Sequence, residues 1–371
     1  MNTLRYYEFQ IVAITINTLV GVQSLYLPAV VTRVAGTAAW LSVLLSGIVA
    51  TVVLVLISRT ASSLSGQSYI SFAQEKLGAF AAIPVLALVG SELLILSMEV
   101  RIFGEIVSAT LLPTTPLDVV IIAMILLLAY FSGHGPKTFA RVNELLLIPM
   151  LVLTIGIELL LSSHATLSRL KPFLGYGPGA ALAGAAQAAS AFAGTGIALY
   201  FMSFSNQPDR MPATALVVGV LTAAVYAGFT MTCLISIGPS LTIQSSWPTL
   251  VSTTLIRLPA VFLEKVDSAF TAGWLFAVFT TAGNIMYVIT RSLGELGGLR
   301  DSRILVVALI PWTFLLAALP RNAEAGISII TLATLAELAL AVLLSLYLLS
   351  QRKTTKGGAK PERKTQKMSA S

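Results

Sequence analysis

The chain has 371 residues, 56% of them apolar and only 11% charged, and its mean hydropathy is +0.88. A water-facing domain is about one quarter charged, so a soluble globular enzyme is excluded, and the apolar residues suffice for roughly ten membrane helices of about 20 residues each. The formal net charge of +7 is spread over short loops and a basic tail with no aromatic-rich basic surface, which signals orientation in a bilayer rather than nucleic acid.

Apolar runs bounded by charge, Gly and Pro predict ten spans, near residues 8–33, 38–58, 80–111, 117–133, 140–162, 180–204, 211–237, 267–290, 303–319 and 326–350. The first run has no A-x-A cleavage site after it and is expected to be a mature helix, not a removed signal. Ten spans put both termini on one side, and Arg352, Lys353, Lys356, Lys360, Arg363, Lys364 and Lys367 of the tail make that side cytoplasmic. On this assignment 16 Lys and Arg fall in cytoplasmic segments and six in external ones; without the tail the ratio is nine to six. The chain thus divides into one transmembrane domain, 1–350, and a basic disordered tail, 351–371. That tail can rest on anionic headgroups.

Three spans depart from a plain membrane helix. Span 1 is interrupted by Gly21, Val22, Gln23 and Ser24, followed by Pro28. Span 6 is rich in Ala and Gly and carries Gly194-Thr195-Gly196 at a comparable depth. Span 3 holds Glu92, Glu99, Arg101 and Glu105. Irregular backbone is tolerated in lipid only where it is buried or lines a cavity. Paired interruptions in corresponding helices of two halves point to a transporter-type binding site. The expected fold is therefore an all-α polytopic membrane protein, with ten helices in two inverted five-helix repeats, about 8–162 and 180–350, and with helices 1 and 6 broken. Amphipathic stretches at Tyr69–Leu77 and Leu250–Phe262 occupy equivalent places in the two repeats.

The opening YYEFQIVAITINTLVGVQSLYLPAVVTRVAGTAAWLSVLLSGIVA, with its G…LP…AG…W pattern, resembles the integral membrane B subunit of bacterial spore germinant receptors. Three further stretches match in order: VRIFGEIVSATLLPTTPLDVV, HGPKTFARVNELLLIPMLVL and WPTLVSTTLIRLPAVFLEKVDSAFTAGWLF. This endospore germination permease family is similar to a branch of the amino acid–polyamine–organocation transporters. The resemblance implies recognition of a small nutrient germinant, often an amino acid, in the inner membrane of the spore. It also implies a larger membrane subunit and a lipoprotein subunit as partners. One departure stands out: where the family often has an acidic residue shortly after the break in span 6, this chain has Gly196 and Ile197.

The candidate ligand site combines both breaks. Amides freed near Gly21, Val22, Gln23 and Ser24 sit at a half-helix N-terminus, where the dipole favours an anion; a Gly/Pro packing kink is the plainer alternative. Phe192, Ala193, Gly194, Thr195 and Gly196 would wall the cavity, although small residues also serve close helix packing. Glu92 and Glu99 lie seven residues apart, on one helical face. They are expected to bind a ligand amine or carry a proton, because an acid in hydrocarbon must face the interior. Thr281, Asn284 and Tyr287 of span 8 could add contacts, or simply bond between helices, as could Thr280. Arg101 with Glu105 and Arg141 with Glu144 are expected as structural ion pairs. Glu337 and Glu158 are expected to be buried partners of polar neighbours.

No cofactor or metal site is expected: Cys233 is alone in an apolar run, and His134 and His164 lie in different loops. There is no nucleophile–His–acid set, P-loop or dinucleotide fingerprint, so no catalytic activity is expected. The competing function is a proton- or sodium-coupled secondary transporter of an amino acid or polyamine, which would share the same fold.

Overall fold

The computed structural model describes residues 5–64, 66–163, 165–255 and 266–357. Its elements in order are α1 (Glu8–Leu19), α2 (Gln23–Ala35), α3 (Ala39–Ser63), α4 (Tyr69–Leu77), α5 (Ala82–Thr110), α6 (Leu117–Ser132), α7 (Pro136–Ser162) and α8 (Pro178–Gln187). They continue with α9 (Ile197–Ser203), α10 (Met211–Ser236), α11 (Pro239–Gln244), α12 (Pro248–Thr253), α13 (Val266–Leu296), α14 (Arg303–Ala318) and α15 (Ala323–Gly357). Among the described residues these make ten crossings: α1 with α2, then α3, α5, α6, α7, α8 with α9, α10, α13, α14 and α15. The apolar stretch Gln23–Ser63 is long enough for two of them, and it reverses at Gly36, whose φ of +59° suits glycine.

The short helices α6 and α14 have 16 residues each, about 24 Å of rise. Both pack against α5 and against each other. Their outward Leu126, Leu127, Ile304, Val307 and Leu315 are exposed, as helices facing lipid require. On the other side of the bundle α3 and α10 pack closely through small residues. A Cβ on Gly47 would stand 2.4 Å from the Ala223 Cβ, and one on Gly219 would stand 2.5 Å from Thr51 Oγ1. Without an apolar driving force between helices in lipid, such close backbone approach supplies the packing energy.

Two local features differ from the sequence reading. The break in span 1 is narrower than Gly21–Ser24: Gln23 and Ser24 already belong to the first turn of α2, and Pro28 lies inside that helix. A helical proline leaves the carbonyl four residues earlier without its donor. Here Thr249 Oγ1 donates to Ser24 O at 2.6 Å, so the helix runs through. The second difference is α11, a short extra helix before α12. The amphipathic stretch Leu250–Phe262 is helical only to Thr253, and its residues from 256 onward lie outside the described set. Its counterpart α4 forms as expected, with Ser68 Oγ accepting from Ser71 N–H at 3.0 Å. The α15 backbone is helical to Gly357, and the rest of the tail, like His164, lies outside the described residues.

Candidate functional site

Unwinding at Val20–Val22 frees backbone groups that lipid cannot satisfy, and neighbouring spans answer them. Tyr226 of α10 donates its hydroxyl to Leu19 O at 2.6 Å and accepts from Gly21 N–H at 3.3 Å. Thr281 Oγ1 of α13 donates to Asn17 O at 2.8 Å and Val20 O at 3.2 Å. Ser24 Oγ donates to Gly21 O at 2.8 Å. Glu99 of α5 completes the set: it accepts from Val22 N–H at 3.4 Å and from the Gln23 side-chain amide. The carboxyl group of Glu99 therefore already stands at the positive end of α2, where the dipole favours an acid.

The break in span 6 is built in the same way from different parts. The chain runs from α8 through a 3₁₀ turn, Ala188–Phe192, to α9, bending by 50°. Gly194 takes φ of +83°, a left-handed conformation that disfavours any side chain. Its N–H donates to Glu337 Oε2 at 3.0 Å, and Gly196 N–H donates to Glu337 Oε1 at 2.6 Å. Thr195 Oγ1 turns back to Phe192 O at 2.6 Å. The acid that span 6 itself lacks after its glycines thus arrives from α15.

The two breaks touch. A Cβ on Gly194 would lie 2.7 Å from Thr18 Cγ2, on the last turn of α1. Thr18 Oγ1 in turn accepts from Asn284 Nδ2 at 3.0 Å. Asn284 belongs to a buried amide cluster: Asn143 and Asn284 approach at 2.9 Å, and Asn17 Nδ2 donates to Asn143 O at 2.8 Å. This cluster ties α1 to α7 and α13. Replacing Asn143 with Ala removes the Oδ1 that accepts from both Asn17 at 3.1 Å and Asn284 at 2.9 Å, at about 1–3 kcal/mol of desolvation cost, although Asn17 keeps the backbone carbonyl. The expected result is a lower melting temperature in detergent, with Asn143→Asp closer to the native value than Asn143→Ala.

Gly21, Val22, Gln23, Ser24, Glu99 and Thr281 are thus brought together around one break, and Gly194, Thr195 and Gly196 around the other. Phe192 packs edge-on against Tyr226 at 6.2 Å, and Ala193 is buried beside it in the chain. Asn284 sits in the amide cluster. Tyr287 does not join the breaks. It stacks on Phe139 at 4.0 Å, within a layer that includes Phe131, Phe201 and Tyr6, and Arg291 lies over its ring at 4.9 Å. Thr280 bonds only its own helix, to Phe276 O and Ala277 O. Glu92 is buried one level away from Glu99, with no hydrogen-bond partner on either oxygen. Arg101 Nε donates to Glu105 Oε1 at 2.6 Å, and its guanidinium also reaches Ala317 O at 3.3 Å. Arg141 and Glu144 form no ion pair within 4.0 Å; Arg141 is exposed while Asn143 between them turns inward. An exposed pair gains less than about 1 kcal/mol, so nothing holds the two side chains together. Among the described residues no group of three or more His, Cys, Asp or Glu could hold a metal.

The aromatic layer closes the bundle at the end that carries the N-terminus. There Tyr6 N–H also bonds Phe204 O at 2.9 Å and Asn206 N–H bonds Tyr6 O at 3.0 Å. At the opposite end a cavity of about 280 Å³ opens between α2, the end of α8, the turn before α12, and the start of α15. Tyr26, Gln187, Trp247 and Ser328 are among its lining residues, and the Arg33–Glu324 ion pair, 3.0 Å long, spans its rim. Tyr26 lies one turn beyond Val22 on α2, so the cavity ends just above the Glu99-filled break.

A ten-span bundle with two broken helices that touch one another, closed at one end and open at the other, is the architecture of a permease-type membrane protein. Over 94% of this chain and 99% of the other, it superposes with a TM-score of 0.66 on the crystal structure of MhsT in complex with L-phenylalanine, at 17% sequence identity. Residues 7–325 match the family model of spore germination proteins, and the chain belongs to that family. It is 24% identical over 319 residues to the spore germination protein YndE of Bacillus subtilis (strain 168), covering 84% of this chain and 86% of that protein. Against spore germination protein B2 of the same organism it is 22% identical over 316 residues, covering 82% and 84%.

Asn17, Asn143 and Tyr226 take part in holding the breaks, and the sequence reading did not single them out. Asn17 was marked by a signal, an uncharged amide inside an apolar run, which in a membrane helix calls for a partner; Asn143 was masked by the charged Arg141 and Glu144 beside it. Tyr226 gave none.

Proposed function

We propose that this chain is the membrane subunit of a spore germinant receptor that senses a small nutrient, an amino acid above all. It would sit in the spore inner membrane with both termini cytoplasmic, beside a larger membrane subunit and a lipoprotein subunit. The observation that carries the site assignment is the Glu99 carboxyl group on the α2 amides, one turn of α2 beneath the lining of an open cavity. An amino acid has both a carboxylate and an ammonium group, so it can exchange with this arrangement. Its carboxylate takes the Val22 N–H and the Gln23 amide, while its ammonium pairs with the displaced Glu99. Charge is conserved across the exchange, and the tether between α2 and α5 is remade through the ligand. A ligand shifts a conformational equilibrium only by binding one state better than another, and remaking this tether supplies that difference. Family membership and a fold shared with a protein that holds L-phenylalanine support this reading.

Filling the cavity tests the route. Ser328→Trp, at the exposed rim, is expected to weaken the germination response of assembled receptors at least tenfold, about 1.4 kcal/mol in ligand affinity. An unchanged response at normal receptor abundance would reject entry through this cavity. A proton- or sodium-coupled transporter of amino acids or polyamines is the second reading, favoured by the buried acids of α5 and α15. Uptake of labelled amino acid into vesicles, driven by an ion gradient, would support it over the receptor.

A further inference from the structure

Glu92 is the one acid among those described inside the bundle whose two carboxyl oxygens are both sealed from solvent and without a hydrogen-bond donor. An ionised carboxylate so placed would cost many kcal/mol unless paired. Among the described residues no cation comes to its aid. Arg101 on the same helix is spent on Glu105 and Ala317 O. Arg291 of α13 is held by Ser302 Oγ at 2.9 Å and by the Tyr287 ring. On α15, which packs against α5, the charged group on the Glu92 side is another acid, Glu337: it meets Gly196 beside Leu88, one turn before Glu92 on α5. Tyr69 of α4 also lies within its electrostatic reach, its hydroxyl 3.3 Å from Ser292 Oγ of α13. Glu295, a turn further along α13, is engaged by the hydroxyls of Ser68 and Ser71. Glu337 has a visible use for its negative charge, since both its oxygens accept backbone N–H groups of the span 6 break. Two acids sharing one dry site cannot both be charged. One of them has work for the charge, and the other has none.

We propose that Glu92 is a proton-binding site, and that the proton it holds permits Glu337 to pin Gly194 and Gly196. With the proton in place the pair carries a single negative charge, and that charge is neutralised by the two amides. Without it a second charge stands beside Glu337, and the cheapest relief is to part α5 from α15 and release span 6. The proton ligand and the span 6 break are thereby linked, independently of which nutrient the protein recognises.

The test is infrared difference spectroscopy of the purified full chain in lipid nanodiscs near neutral pH, comparing wild type with Glu92→Gln. The expected difference is loss of a carboxylic acid C=O stretch, with no loss of carboxylate bands. The control, Glu75→Gln at an exposed position, should remove a carboxylate band instead. Melting temperature should barely change in Glu92→Gln, because a neutral group replaces a neutral group of the same shape. Loss of a carboxylate band in Glu92→Gln would overturn the proposal. Should that variant not fold, Glu337→Gln gives a second reading. A carboxylic acid band displaced when the neighbouring charge is removed supports the site, and an acid region identical to wild type overturns it. No germinant is needed, so failure here is separate from failure of the germinant reading.

Discussion

Glu99→Gln is expected to leave the protein folded while weakening the germination response at least tenfold, about 1.4 kcal/mol. The amide can still accept from Val22 N–H, but it cannot hold the ammonium of an incoming amino acid as an ion pair. Glu99→Ala should do more. It leaves the Val22 N–H and the Gln23 amide without an acceptor, where bonds to a charged group contribute about 1.5–3 kcal/mol, and it opens a void beside the break. The paired expectation is therefore a near-native melting temperature for Glu99→Gln and a clearly lowered one for Glu99→Ala, with the response impaired in both. A normal response in Glu99→Gln would remove Glu99 from the ligand exchange and leave it a purely structural clamp.

Gly194→Ala is the second large effect. The left-handed backbone at φ of +83° costs an L-residue about 1–2 kcal/mol, and the new methyl would lie 2.7 Å from Thr18 Cγ2. The two penalties are separable. Thr18→Ser keeps the hydroxyl that accepts from Asn284 but deletes the clashing methyl. The double variant should recover the steric part of the lost melting temperature and not the backbone part. Full additivity of the two single variants would mean that the breaks do not touch as described.

The ten crossings were legible because lipid demands long apolar runs and short polar turns, and Gly194 and Gly21 announced the breaks. How the breaks are held was not legible. Val22 meets an acid 77 residues away, and Gly196 meets one 141 residues away. Periodicity within a span carries no record of such partners. Pro28 shows the same limit from the other side. A proline in mid-span predicts interruption, yet the helix continues because Thr249, far along the chain, supplies the missing donor. Tyr287 stands apart from the two breaks for a simpler reason. It sits six residues beyond Thr281, about 9 Å along α13, and that distance carries it into the aromatic layer closing the bundle. That Glu337 of α15 holds Gly194 and Gly196 of span 6 required the fold.

The most direct measurement of the central claim is ligand-induced thermal stabilisation of the purified chain, screened against the set of L-amino acids, for wild type and Ser328→Trp side by side. A ligand that binds only the native state at a hundred times its dissociation constant adds about 2.7 kcal/mol. The account predicts that at least one amino acid raises the melting temperature of the wild type and that Ser328→Trp loses most of that gain. No stabilisation by any of them, or equal stabilisation of both proteins, would contradict it.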